Sequence, residues 1–183
     1  MRFLVKIVLI FLSCPVFASD FKNDIKSFFA PNYEEPVKNT TFPDTRLAMN
    51  RNVFIFDPQH LLWAVYDKNG KRVGIGKAVG GADYCEDIHK PCRTVEGEFT
   101  VFRKEDADCA SKTFPIDEGG GAPMPHCMFF YKGYAIHGSG NIPNENKSHG
   151  CIRITKKAAE WVSNNYINPG SLVIVMPYHD TAG

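Results

Sequence analysis

Apolar residues in this chain come in short runs separated by Gly, Pro, Asn and Asp, a pattern of strands and turns more than of long helices. Asn52-Val53-Phe54-Ile55-Phe56 reads as a strand, and Leu61 to Tyr66 as its hairpin partner ahead of the turn Lys68-Asn69-Gly70. Lys71 to Gly80 continues as a third strand, whose glycines allow bends or close packing. Glu98 to Arg103 reads as a fourth strand, Met128 to Ile136 contains at least one more, and Leu172 to Met176 closes the sheet. Between Lys104 and Pro125 lies a long insertion containing Gly119-Gly120-Gly121, read as a loop or a lid over a cleft. One helix is expected. Thr155 caps Lys156 to Asn165, with Ala159, Val162 and Tyr166 spaced to share a buried face, and Pro169-Gly170 stops it. Short strands with one main helix near the C-terminus predict a mostly β, sandwich-like fold.

The first residues bear on where this domain works. Arg2 and Lys6 give a positive start, Ile7 to Leu12 an unbroken apolar core, and Val16-Phe17-Ala18 a small residue at a cleavage point. Residues 1–18 therefore read as an export signal, which places the protein in the periplasm or cell envelope. The apolar run is short for a bilayer, so no stable membrane span is expected; an uncleaved anchor is the alternative. Cys14 is read as a cysteine of the signal, since Phe11-Leu12-Ser13 is a poor lead-in for lipid attachment. Residues 19–46 read as an arm or linker. Pro31, Pro36 and Pro43 exclude a long helix, leaving either a short helix over Asp20 to Phe29 with an extended arm, or a loosely ordered linker. Residues 47–183 form one domain of ordinary size, with no internal repeat. Without the signal, 19 basic residues face 20 acidic ones, a net charge of −1, and no basic block suggests nucleic acid.

Candidate chemistry gathers in one stretch. Ala135-Ile136-His137-Gly138-Ser139 is followed, after a short connection, by Ser148-His149-Gly150-Cys151-Ile152-Arg153. The thiolate is the reactive form of cysteine, and a free thiol of pKa ~8.5 is mostly protonated at neutral pH. A nearby imidazole, aligned by a third group, can take that proton. Gly150 beside Cys151 lets the backbone turn tightly and present the sulfur and neighbouring N–H groups to a carbonyl. The bland reading is a buried structural cysteine beside surface histidines.

The surrounding motifs favour the chemical reading. H-G-S followed by S-H-G-C-I-R resembles the signature of the L,D-transpeptidase catalytic domain (the YkuD-like family) of bacterial cell-wall enzymes. Thr94-Val95-Glu96-Gly97-Glu98-Phe99-Thr100-Val101 resembles that family's T-P-x-G-x-F-x-V stretch, with Val95 where proline is usual. Pro123-Met124-Pro125 and the aromatic strand running into Ile136-His137-Gly138 resemble a further segment, so the resemblance covers roughly Asn52 to Tyr178 in the family's order. It implies Cys151 as nucleophile, His137 as its base, and the Gly138 carbonyl holding the imidazole tautomer. It further implies His149 lining the oxyanion region, with the N–H groups of Gly150 and Cys151 as donors. Arg153 either holds the loop or binds a substrate carboxylate; Ser148 and Ser139 either shape turns or join substrate binding. Met124, Tyr131 and Tyr134 are candidates to line a donor groove or to pack in the core.

The implied reaction is acyl transfer on peptidoglycan stem peptides, as donor and acceptor, without metal or organic cofactor. The bond between an L-centre and D-alanine is cleaved through a thioester on Cys151, and an amine resolves it. Water as acceptor would make an L,D-carboxypeptidase, and a protein amine would attach an envelope protein to the wall. Rivals outside this class are a non-enzymatic envelope-binding module and a zinc protein using His126-Cys127 and His149-x-Cys151, a spacing that matches no common zinc pattern. The mature chain would hold five cysteines, Cys85, Cys92, Cys109, Cys127 and Cys151, an odd number in a disulfide-permissive compartment. Of three connectivities for four of them, Cys85–Cys92 and Cys109–Cys127 is preferred: each bridge ties the base of a loop and leaves Cys151 free. Reduced, buried thiols are the alternative.

Overall fold

The turn after Phe56 is built by Asp57, whose Oδ1 accepts from the N–H groups of Gln59 (3.0 Å) and His60 (3.1 Å), while Leu61 takes a φ of 56°. That turn sets the first hairpin. The computed structural model describes residues 32–37 and 41–178; the export signal and the helix expected over Asp20 to Phe29 lie outside them. In chain order the strands are Tyr33–Glu34 (β1), Val53–Asp57 (β2), Leu62–Tyr66 (β3), Arg72–Val79 (β4), Gly97–Thr100 (β5), Arg103–Lys104 (β6), Met128–Tyr131 (β7), Tyr134–Ser139 (β8), Ile152–Thr155 (β9) and Leu172–Val175 (β10). Lys156–Asn165 (α1) precedes the last strand, capped by Thr155 Oγ1, which accepts from the Ala158 N–H at 3.2 Å.

The strands run in the order β5-β10-β2-β3-β4-β9-β8-β7-β6, with β1 added in parallel to β4. The stretch expected as one strand over Glu98 to Arg103 is two. At Val101 and Phe102 the chain changes partner: the Val101 N–H reaches the Ser171 carbonyl (2.9 Å) and the Phe102 N–H the Phe129 carbonyl (3.0 Å). One short segment thus pairs with strands at both ends of the order, curling the sheet into the expected mostly β, sandwich-like form with one α-helix among the described residues. Nor does Leu172–Val175 lie at an edge; β10 sits between β2, to which it is parallel, and β5.

Both faces of β2 and β3 are buried, which explains their unbroken apolar sequence. Val53, Ile55, Leu62, Ala64 and Tyr66 share one face with Phe42, Ile75 and Leu172. On the other, Phe54 stacks on Trp63 (centroids 5.8 Å apart), and Tyr33 packs against Trp63 and Trp161 of α1. Each such side chain withdrawn from water contributes about 1.5–3 kcal/mol. The described part of the arm is docked. The Tyr66 hydroxyl donates to the Pro43 carbonyl (2.8 Å), and the Glu35 carboxylate accepts from Thr155 Oγ1 (2.6 Å) and the Lys77 N–H (2.8 Å). No helix among the described residues is long and apolar enough to cross a membrane.

Candidate active site

β8 and β9 run parallel in the register Ile136↔Ile152 and His137↔Arg153. Side chains alternate along a strand, so His137 and Arg153 share one face while Ile136, Gly138, Ile152 and Ile154 take the other. On that second face α1 approaches so closely that a Cβ on Gly138 would stand 3.1 Å from the Lys156 Cα. Cys151, immediately before β9, opens with His137 and Arg153 onto a cavity of about 610 Å³ that also reaches Met124, Tyr134 and His149.

His137 is only 5% exposed, and its Nδ1 lies 3.0 Å from the Gly138 carbonyl oxygen. A carbonyl only accepts, so this contact puts the ring proton on Nδ1 and leaves Nε2 with its lone pair. Burial, aided by the charge of Arg153, pushes the imidazole down to about 4 against the partial opposition of the Gly138 carbonyl. The ring is therefore neutral at pH 7. Gly138 is itself fixed, its N–H donating to Pro125 at 2.8 Å. Burial likewise raises the Cys151 thiol, while the Ala135 backbone and Arg153 pull it back down. The Arg153 guanidinium, whose own pKa burial lowers, meets no carboxylate among the described residues.

The turn carrying the thiol is pinned on all sides. The Ser148 hydroxyl donates to the Cys151 carbonyl (2.5 Å) and accepts from the Gly150 N–H (3.0 Å). The Gly150 N–H expected to face an oxyanion is thus engaged inside the turn. Ser148 is held to the Gly80–Ala82 backbone by two hydrogen bonds of 2.9 Å, and the Gly81 N–H donates to Thr94 Oγ1 (2.9 Å). This ties the Thr94 motif to the turn, which needs no proline at Val95 for that contact. Ser139 Oγ exchanges bonds of 3.1 Å with the backbone of Asn141, so it shapes a turn at the cavity's edge. Tyr131 packs on Phe99 and Tyr134 and does not line the cavity. The sulfurs pair as Cys85–Cys92 and Cys109–Cys127, and Cys151 is free. Cys127 is consequently no zinc ligand while its bridge is intact.

A family model for the L,D-transpeptidase catalytic domain (YkuD) matches residues 50–175. The chain belongs to this family. Among solved structures it is similar to an L,D-transpeptidase (residues 123–326) from Xylanimonas cellulosilytica, at 25% identity and a TM-score of 0.62, over 73% of this chain and 64% of that one. An L,D-transpeptidase from Stackebrandtia nassauensis shares the fold at 19% identity and a TM-score of 0.61, over 77% of this chain and 62% of that one. The chain thus spans less than two thirds of either relative. No curated protein matches.

Two contacts of this L,D-transpeptidase domain escape the motif reading. His149 places Nε2 at 2.9 and 2.7 Å from the two carboxylate oxygens of Asp87, and its ring stacks on Phe114 at 4.2 Å between centroids. Asp87 belongs to the loop closed by Cys85–Cys92, and Phe114 to the insertion closed by Cys109–Cys127. An acid inside a cysteine-bracketed loop is a weak signal, and one aromatic in a long insertion is none.

Proposed function

We propose that this domain transfers acyl groups on peptidoglycan stem peptides through a thioester on Cys151. The observation that carries the reading is the His137–Gly138 contact, which leaves a neutral imidazole with a free Nε2 on the face, and in the cavity, of the Cys151 thiol. With the thiol raised and the imidazole lowered, the resting pair is neutral. The proton therefore passes from sulfur to Nε2 as the sulfur attacks, the general-base form of nucleophile activation. The attacked group is the carbonyl of the third residue of a tetrapeptide stem. D-Alanine leaves with the proton returned by His137. A second stem's amine then attacks the thioester, forming the cross-link and restoring the thiol.

Arg153 is a receptor for a donor carboxylate, since a half-buried guanidinium that lines the cavity and pairs with no carboxylate among the described residues is matched by a bidentate anion. Its charge also favours the thiolate that forms in the second step. The Cys151 N–H supports the oxyanion, because the Gly150 N–H is held by Ser148. Met124 and Tyr134 line the donor groove, and the insertion over it limits water. Residues 1–18 direct export to the envelope, where these substrates are. The test is release of D-alanine from a tetrapeptide stem by purified protein. The parent chain releases it and Cys151→Ala does not; release by the variant refutes the nucleophile.

A further inference from the structure

His149 stands at a junction. Its ring, together with Phe114, Ile116, Ala122 and Arg153, borders both the cavity that holds Cys151 and a second one of about 540 Å³ also lined by Asp87, Pro115 and Asp117. The ring is gripped from two sides, by both oxygens of Asp87 at Nε2 and by the face of Phe114. Each gripping residue is itself held. Asp87 lies in the 3₁₀ turn Glu86–Ile88, in a loop whose disulfide sulfurs rest 3.5 and 3.7 Å from the Ser148 carbonyl oxygen. Phe114 donates its N–H to Ser111 Oγ (2.9 Å) and accepts from the Ala122 N–H (2.9 Å), above a neck closed by the Ala110↔Pro123 bridge and the Cys109–Cys127 disulfide.

We infer that Asp87 is a positioning residue that, through His149 and Phe114, keeps a partition closed between the two cavities and so decides whether an amine or water resolves the thioester. A carboxylate only accepts, so Asp87 fixes the His149 proton on Nε2 and with it the plane on which Phe114 stacks. Released from Asp87, the ring turns freely and Phe114 loses its platform, which widens the passage between the two cavities and lets more water reach Cys151. The inference rests on the acyl-transfer reading above. In either resolution the C–S bond of the thioester breaks and the sulfur leaves as thiolate. An amine forms a C–N bond and water a C–O bond, and the proton each gives up returns to the sulfur through His137. Donor acylation comes before this branch, so the two readings part experimentally.

The experiment incubates the full chain with a tetrapeptide donor and an amine acceptor and measures the ratio of cross-linked product to hydrolysed tripeptide by mass spectrometry. Parent, Asp87→Ala, Asp87→Glu, Phe114→Ala and the double variant Asp87→Ala/Phe114→Ala are compared. The ratio counts only molecules that acylate, so a misfolded fraction does not enter it. The expected result is a several-fold shift toward hydrolysis for Asp87→Ala and for Phe114→Ala, no further shift in the double variant, and partial recovery in Asp87→Glu. The parent ratio in Asp87→Ala overturns the inference, as do additive effects in the double variant. Absence of acylation in the parent overturns the reading of the site, and this inference with it.

Discussion

The ring of Tyr134 occupies the space where a side chain on Gly150 would begin: a Cβ there would stand 2.2 Å from Tyr134 Cε1. Gly150 also holds a φ of 115°, in the left-handed region that glycine alone enters without strain. The residue before Cys151 is therefore fixed twice, by backbone conformation and by the aromatic wall of the cavity. Gly150→Ala is expected to lose about 2–4 kcal/mol of stability, from the strained φ and the overlap together. It should also displace the thiol and slow its alkylation. Combining it with Tyr134→Ala should recover part of the stability, and denaturant unfolding of the three variants measures this. A parent-like midpoint for Gly150→Ala would show that the turn yields.

His137→Ala is expected to damage acyl transfer far more than His149→Ala. The first removes the general base, a contribution of roughly 10²–10⁴-fold, whereas the second removes the ring between Asp87 and Phe114. Initial rates of D-alanine release check the order. The reverse order means the two imidazoles have each other's roles.

Acid should weaken this fold through His137. Its folded pKa, about 4, lies below the 6.5 of the free side chain, so between those values the unfolded chain binds more protons. Stability is fully present above pH 6.5 and is lost as pH falls toward 4, a loss approaching about 3 kcal/mol from this group alone. His137→Gln, which cannot titrate, should show a shallower decline between those pH values. Urea unfolding at several pH values measures both slopes, and equal slopes contradict the assignment.

Removing the Cys85–Cys92 bridge by a double Ser substitution is expected to cost about 2.5 kcal/mol on the loop-entropy model. It should also lower acyl transfer, because the bridge rests on the Ser148 carbonyl and its loop carries Asp87. Removal of Cys109–Cys127 closes a longer loop no more and is expected to cost about 3 kcal/mol. Peptide mapping without reductant establishes the pairs first; a dominant disulfide containing Cys151 would contradict both expectations.

How much of this was legible depends on the range of the interaction. The helix over Lys156–Asn165 and its Thr155 cap were readable because capping and apolar spacing act within a few residues. The hairpin at Asp57 was readable for the same reason. The partner switch at Val101 and Phe102 was not, since it depends on Ser171 and Phe129, which local sequence does not bring near. His137, Gly138 and Cys151 stood out because each lies in a short contiguous motif, on β8 or at the entry to β9, and those two strands pair. The Ser148 hydroxyl's claim on the Gly150 N–H was hidden by the same contiguity, because a turn's internal bonds do not show in its letters. Asp87 reaches His149 across 62 residues of sequence and Glu35 reaches Thr155 across 120, and local sequence brings neither pair near.

An acyl group carried on the sulfur of Cys151 should be trapped there as a covalent adduct. Intact-mass spectrometry of the parent chain after brief exposure to a tetrapeptide donor or a carbapenem, followed by peptide mapping, tests it most directly. One adduct is expected, on the peptide containing Cys151, absent from Cys151→Ala and slowed in His137→Ala. An adduct on another residue, or one that persists in Cys151→Ala, would contradict it.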